Sequence, residues 1–200
     1  MSCINHKLKS IFIHVPKCGG SSMTVVDWNK GSGHRTIKSF SKIKDFHSYY
    51  KWCFVRNPWD RAVSAWATCP EIKPITFPQF INVLYEERHS IQNLSHIKWT
   101  DVKGGMLKDR LSVNRIHFFP MLPIIKVDGE MVMDFVGRFE NMKNDWNKLT
   151  NHLGVENKLP HHNMRKDKPP YQEFYTKDLI NKVEEIYKED IDFFDYKFDN

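Results

Sequence analysis

The sequence predicts a single α/β domain over residues 1–200, in which helices flank a central parallel sheet. Two short apolar runs, each followed at once by a turn and a helix start, are typical of strands joined to helices in such a sheet. A length of 200 residues suits one domain with a substantial core. Hydrophobic residues make up 40% of the chain and aromatic residues 14%, which favours a packed globule over a disordered chain.

The first strand-to-helix element begins at residues 11–15 (IFIHV), a run too short for a buried helix and bounded by Pro16. The six residues that follow carry a positive charge, a thiol, two glycines and two hydroxyls: Lys17, Cys18, Gly19, Gly20, Ser21 and Ser22. Glycines let the backbone wrap closely around an oxyanion, and the N–H groups of a first helical turn attract negative charge. The segment therefore predicts an anion-binding loop, with an ordinary strand-to-helix turn as the alternative.

A second element follows at residues 51–55 (KWCFV), which predict a strand. Asn57 is a favourable N-cap and precedes a proline, so a helix is predicted to begin there. Arg56 is left at the carboxyl end of the strand, where open α/β sheets bind ligands. Arg61 and Ser64 follow on one face of the helix. Because the helix dipole disfavours cations at this end, the two arginines indicate a bound anion rather than ordinary surface charges.

Later segments predict further elements. A capping box at Thr76 starts a helix, residues 116–120 predict an edge strand, and residues 124–136 predict a hairpin with a tight Asp-Gly turn. A helix ending before Gly154 and a last helix beginning after Thr176 complete the chain.

Both of these strand-to-helix segments resemble the nucleotide-binding motifs of PAPS-dependent sulfotransferases, and most closely those of the carbohydrate (heparan sulfate 2-O- and chondroitin-type) enzymes. Residues 12–22 are similar to the 5′-phosphosulfate loop of that family, usually F-I-H-V-P-K-T-G-G-T-S, with Cys18 in place of threonine. Residues 54–66 are similar to its 3′-phosphate motif, commonly F-V-R-N-P-Y-D-R-L-V-S-A-Y. Arg56 and Ser64 keep the spacing of the family's phosphate-binding arginine and serine.

This resemblance implies a P-loop-like sulfotransferase fold and a transfer reaction. The donor would be 3′-phosphoadenosine 5′-phosphosulfate (PAPS), the product PAP, and the acceptor a hydroxyl, expected on a carbohydrate. The residues that would bind the cofactor lie in the two motifs and in a later basic loop: Lys17, Cys18, Gly19, Gly20, Ser21, Ser22, Arg56, Ser64, Asn163, Arg165 and Lys166. Met164 stands where the family often has a serine.

Sulfuryl transfer requires in-line placement of the acceptor, stabilisation of the leaving oxygen and a base for the acceptor hydroxyl. Lys17, beside the loop, is the predicted donor to the leaving oxygen. His34 is the predicted base, because it lies in a Gly-His step where similar carbohydrate sulfotransferases carry their catalytic histidine. His47 is the reserve candidate, and His14 is expected to serve packing or the wall of the site.

The formal net charge of +6 and the pI of about 9.0 favour anionic partners. The basic residues are scattered, so no nucleic-acid partner is predicted. No metal is predicted either, because lysine, arginine and backbone N–H groups can neutralise the cofactor, and His161-His162 lack companion ligands. Two other functions stay open: a nucleotide-dependent phosphotransferase, whose Walker lysine would follow the glycines, and a non-catalytic basic domain that binds nucleic acid or a sulfated polysaccharide.

The four cysteines show neither C-x-x-C spacing nor a dense framework, so reduced thiols are expected. No apolar run is long enough to span a bilayer, and reading the amino-terminal run as a signal peptide would remove the anion loop. We therefore expect a soluble cytoplasmic protein without signal peptide or transmembrane anchor.

Overall fold

A computed structural model describes residues 2–23, 34–68, 75–89, 115–156 and 169–199. The chain groups into two compact units, the first comprising residues 1–56 and 121–166 and the second residues 57–120 and 167–200. The described strands belong to the first unit, and the described part of the second unit is helical. That residues 1–200 form one domain stays a prediction.

Six short strands are described: β1 (Cys3–Asn5), β2 (Ser10–Ile13), β3 (Tyr50–Val55), β4 (Lys126–Val127), β5 (Glu130–Met131) and β6 (Phe135–Arg138). Four of them form a sheet in the order β1-β2-β3-β6. In this sheet β2, β3 and β6 are parallel, whereas β1 pairs with β2 in antiparallel fashion. The α/β class is confirmed, but the sheet is mixed rather than purely parallel, because a short strand precedes the first predicted one.

The central strands β2 and β3 are buried almost throughout, which is why they read as continuous apolar runs rather than alternating ones. Phe12 lies opposite Trp52 in the register, and their rings stack with centroids 4.3 Å apart. On the next strand, Gly137 lies opposite Phe54, whose ring occupies the space that a Cβ would take. These aromatic contacts form the core of the first unit.

Seven α-helices are described: α1 (Gly20–Met23), α2 (Pro58–Thr68), α3 (Phe77–Glu86), α4 (Leu122–Ile125), α5 (Met142–Leu153), α6 (Lys177–Ile186) and α7 (Lys188–Phe194). No helix among the described residues has both the length and the apolar composition needed to cross a bilayer.

In the second unit, α2, α3 and α6 pack against one another. The predicted helix starts are confirmed: the side chain of Asn57 accepts a hydrogen bond from Trp59 N at 3.0 Å, and Thr76 forms a capping box with Gln79. Thr176 caps α6 through the N–H of Leu179. In the first unit, α5 ends before Gly154, as predicted, and Gly154 adopts the left-handed conformation at φ 64°.

The predicted edge strand at residues 116–120 is wrong, because Arg115–Phe118 form a 3₁₀ helix. Ile116, Phe118 and Phe119 are all buried, which an exposed edge strand with alternating sides would not allow. The carbonyl of Phe118 accepts a hydrogen bond from the hydroxyl of Tyr187 at 2.7 Å rather than from a neighbouring strand.

The predicted hairpin is confirmed only around its turn. β4 and β5 pair across Asp128 and Gly129, which have φ angles of 50° and 89°, as a tight hairpin turn requires. The flanking residues belong elsewhere: α4 contains Pro123 in its first turn, and Phe135 begins β6 in the main sheet. The apolar runs on either side of the turn thus pack against the core instead of extending the hairpin.

The Cys3 thiol makes the free energy of unfolding depend on pH in the alkaline range, because burial raises the pKa of this thiol from 9.0 to about 11. Between these values the folded state keeps a proton that the unfolded chain has lost, so the free energy of unfolding falls as pH rises. We expect this thiol to remove roughly 2–3 kcal/mol across that window.

Urea unfolding at several pH values from about 8 to 11 measures the effect. The Cys3→Ala variant should show a slope shallower by about one proton, or ~1.4 kcal/mol per pH unit. Parallel slopes for the two proteins would contradict the expectation.

Candidate active site

The loop that follows β2 alternates in backbone handedness. Lys17 and Gly19 have positive φ angles of 69° and 83°, whereas Cys18 between them does not. Such alternation is typical of backbone segments that bind anions through N–H groups, although the N–H of Cys18 is used within the loop, by the carbonyl of Val15. A non-glycine residue with positive φ is strained, and such strain persists only where surrounding contacts hold it. Contacts around the loop must therefore hold Lys17 in this conformation.

Close packing on both glycines holds the loop. A Cβ on Gly19 would lie 2.6 Å from Cε of Met142 and 3.1 Å from the ring of Phe139. A Cβ on Gly20 would collide with the imidazole of His14. Larger residues at either position would displace the loop from β2 or from the start of α5, which explains the paired glycines.

Cys18 points into the first unit and is 1% exposed. Its thiol lies 3.6 Å from the carbonyl oxygen of Pro16 and 3.9 Å from Sδ of Met121. Its N–H donates to the carbonyl of Val15 at 3.4 Å. The side chain that departs from the family's threonine thus fills a buried position.

Burial, and then the neighbouring Cys18, raises the pKa of Cys53 well above its ordinary value, so Cys53 stays a thiol near neutral pH.

Arg56 connects the two sequence motifs. It lies directly after β3, and its Nη1 donates to the carbonyl oxygen of Lys17 at 3.0 Å. Its guanidinium also lies 4.0 Å from the centre of the Phe139 ring, a cation–π contact. Arg56 is only 7% exposed, so the interpretation of an ordinary surface charge is wrong. The contact follows from topology, because β2 and β3 are parallel neighbours and end at the same edge of the sheet.

The remainder of the predicted 3′-phosphate motif lies on α2 in the second unit. Ser64 is half-buried, and its backbone carbonyl accepts a hydrogen bond from the hydroxyl of Thr68 at 2.7 Å. Arg61 is buried, and its guanidinium carbon lies 6.0 Å from the centre of the Tyr187 ring. Arg61 is thus no surface charge either. That Ser64 binds a phosphate stays a prediction.

His34 lies beside the loop. Its Nδ1 is 3.5 Å from the carbonyl oxygen of His14, and the two imidazole centroids are 4.4 Å apart. Since the His14 ring also contacts Gly20, it lies between the loop and His34. His47 lies in the 3₁₀ helix Phe46–Ser48, before the amino end of β3 and hence at the opposite edge of the sheet from the loop. That His34 is the base stays a prediction.

Some predicted site residues lie outside the described part of the chain. These are Asn163, Arg165, Lys166 and the His161-His162 pair, together with the side chains of Ser21 and Ser22. Within the described ranges, no group of three or more His, Cys, Asp or Glu side chains could hold a metal ion.

Phe139 is a site residue that sequence reasoning missed. It contacts both Arg56 and the position of Gly19, and so supports the arginine and the loop together. A signal was available, since Phe139 comes directly after β6 and the carboxyl ends of the three parallel strands lie at one edge of the sheet.

A parallel sheet edge that carries a glycine loop, a lysine and a buried arginine is a typical binding place for an anionic ligand in α/β proteins. A profile of the sulfotransferase family matches residues 2–197. The chain belongs to the sulfotransferase family and is a sulfotransferase enzyme, as its motifs indicated. No curated protein and no solved structure matches it.

Proposed function

We propose that this enzyme transfers the sulfuryl group of PAPS to an acceptor hydroxyl on a carbohydrate. Family membership supports sulfuryl transfer in general. The observation that carries the proposal for the donor is the hydrogen bond from Arg56 to the carbonyl of Lys17, because it joins the phosphosulfate-loop motif to the arginine of the 3′-phosphate motif.

The chemistry of the loop fits a phosphosulfate. Lys17 contributes a full positive charge, the two glycines would contribute backbone N–H donors, and Arg56 contributes a guanidinium held by Phe139. Lys17 and the loop would bind the 5′-phosphosulfate of the nucleotide, and Arg56 and Ser64 are the predicted ligands of its 3′-phosphate. Bound PAPS supplies the sulfuryl group and leaves as PAP.

Two residues of the chain carry the predicted chemistry. The ammonium of Lys17 donates a hydrogen bond toward the leaving oxygen and so stabilises the negative charge that accumulates there. The imidazole of His34 takes the proton of the acceptor hydroxyl at the ring nitrogen that does not face the carbonyl of His14. With both groups in place, the acceptor oxygen attacks in line with the departing phosphate oxygen.

The two alternative functions make different demands. A phosphotransferase of the Walker type would carry its lysine after the glycines, whereas Lys17 precedes them. A non-catalytic basic domain needs charge on its surface, but it needs neither a lysine held at positive φ nor an arginine buried against a ring. Both features instead suit a preorganised site for a small anion.

The Arg56→Ala variant tests the proposed donor. The substitution removes a charged hydrogen-bond donor and the hydrogen bond that Arg56 makes to the Lys17 carbonyl. We therefore expect the affinity for PAP to fall on the order of 100-fold in calorimetric titrations. Arg56→Lys should bind with intermediate affinity, because it keeps the charge without the planar fork. Lys38→Ala removes an exposed charge of the same unit and should change the affinity by less than about twofold.

The same titrations separate the rival functions. Wild-type protein should bind PAP more tightly than ATP or an oligonucleotide. Absence of heat from PAP with well-folded protein, or tighter binding of either competitor, would remove the proposal. A mass-spectrometric acceptor screen with PAPS then identifies the hydroxyl that is sulfated.

The state of the cysteines supports a proposal for the cellular location. Cys3, Cys18 and Cys53 are buried free thiols, as is usual in a reducing compartment. We propose a cytoplasmic location on this ground.

A further inference from the structure

One buried hydroxyl ties the end of β2 to the segment that carries His34. Ser2 is 1% exposed, and its Oγ accepts hydrogen bonds from the backbone N–H groups of His14 at 3.0 Å and Arg35 at 3.3 Å. The same hydroxyl donates to the carbonyl of Arg35 at 2.9 Å. A serine hydroxyl has one proton and two lone pairs, so these three bonds use its full capacity. We call this set of bonds the Ser2 clamp.

The Ser2 clamp acts on both neighbours of the predicted base. It holds the peptide N–H of His14, the residue whose carbonyl faces Nδ1 of His34 at 3.5 Å. It also holds both backbone groups of Arg35, the residue directly after His34. The backbone of His14 and the backbone of Arg35 are thus both fixed next to His34, and the His14 ring packs against the His34 ring.

This arrangement selects one form of the neutral His34 ring. A carbonyl oxygen only accepts hydrogen bonds, so the nitrogen that faces it, Nδ1, carries the proton. Nε2 is then the basic nitrogen of the neutral imidazole. The opposite tautomer would set two lone pairs against each other at the His14 carbonyl.

We propose that Ser2 is a positioning residue that keeps His34 in the Nδ1–H tautomer, so that Nε2 receives the proton of the acceptor hydroxyl. The inference rests on the proposed function only in taking His34 as the base. In the transfer step the acceptor O–H proton passes to Nε2, giving an imidazolium. The acceptor oxygen bonds to sulfur as the bond from sulfur to the phosphate oxygen breaks with its electron pair, and the imidazolium later returns its proton to water.

Ser10 offers a matched control for loss of a buried serine. Its hydroxyl is also buried, donates to the carbonyl of Tyr50 at 3.1 Å, and accepts from Nε1 of Trp52 at 2.9 Å. These bonds join β2 to β3 and include neither His14 nor His34. Ser10→Ala and Ser2→Ala therefore both leave buried N–H groups without their serine, but only the second releases the predicted base.

The experiment measures the tautomer and the turnover together. ¹⁵N NMR of histidine-labelled protein, recorded about two pH units above the ordinary histidine pKa of ~6.5, should show His34 of the wild type as the Nδ1–H form. In Ser2→Ala we expect a mixture of tautomers and a kcat lower by on the order of 10- to 100-fold. The affinity for PAP should stay within about twofold. Ser2→Thr keeps the hydroxyl and should restore both readouts, whereas Ser10→Ala should change neither the tautomer nor kcat.

Two results would overturn the proposal: an Nε2–H form of His34 in the wild type, or a Ser2→Ala variant that matches Ser10→Ala in tautomer and kcat. If Ser2→Ala does not fold, the wild-type tautomer and the Ser2→Thr variant decide. A tautomer shift in Ser2→Ala, in a protein that shows no PAPS-dependent turnover, would uphold the Ser2 clamp and reject the proposed function.

Discussion

We expect Lys17→Ala to abolish sulfuryl transfer, lowering kcat by on the order of 10²–10³-fold or more, because Lys17 is the proposed hydrogen-bond donor to the leaving oxygen. The reason is that negative charge grows on the phosphate oxygen as the bond to sulfur breaks, and a fixed ammonium stabilises that charge in the transition state more than in the ground state. Binding of PAP should weaken less than kcat falls. Transfer of labelled sulfate from PAPS, measured at saturating donor, gives the kcat.

The backbone of Lys17 requires a control of its own, because alanine at φ 69° is strained as well. Lys17→Gly removes the side chain and fits that φ angle, so its kcat should match that of Lys17→Ala. Lys9→Ala replaces another lysine with positive φ, at 44°, that is exposed in the turn between β1 and β2, and should keep wild-type activity. Substantial turnover in Lys17→Gly would show that the loop conformation, and not the ammonium, carries the effect.

The parts of the fold that the sequence predicted are those specified by neighbouring residues. β2 and β3 are apolar runs that need burial on both faces, and the helix starts at Pro58 and Lys177 depend on caps one residue away. The 3₁₀ helix at Arg115–Phe118 was missed because its geometry follows from the burial of its aromatic residues, which local spacing does not reveal. β1 is three residues long, too short to show a period.

The candidate site divides in the same way. Lys17, the two glycines and Arg56 belong to contiguous motifs, and the adjacency of β2 and β3 brings those motifs together. Phe139 reaches Arg56 from 83 positions further along the chain (139 − 56), and Ser2 reaches Arg35 across 33 positions. Such pairs leave no local sequence pattern, because the fold can bring residues into contact whatever their separation along the chain. Sequence reasoning therefore found the groups predicted to touch the ligand and missed those that support them.

His34→Ala is expected to remove turnover and to leave PAP binding unchanged. General bases contribute about 10²–10⁴-fold to rates, so a loss of kcat in that range is expected. Binding should survive because the proposed role of His34 is to take the proton of the acceptor hydroxyl and not to bind the phosphates of the nucleotide. Single-turnover transfer with preformed enzyme–PAPS complex separates the chemical step from binding and product release.

His47→Ala is the matched control, since His47 lies in the same unit but before the amino end of β3. It should keep wild-type kcat, and added imidazole should restore part of the activity of His34→Ala but not of Lys17→Ala, because only the first variant lacks a base. If instead His47→Ala loses turnover and His34→Ala keeps it, the acceptor must approach from the opposite edge of the sheet. The loop would then lie too far away to stabilise the leaving oxygen, and the proposed roles of Lys17 and His34 would fail together.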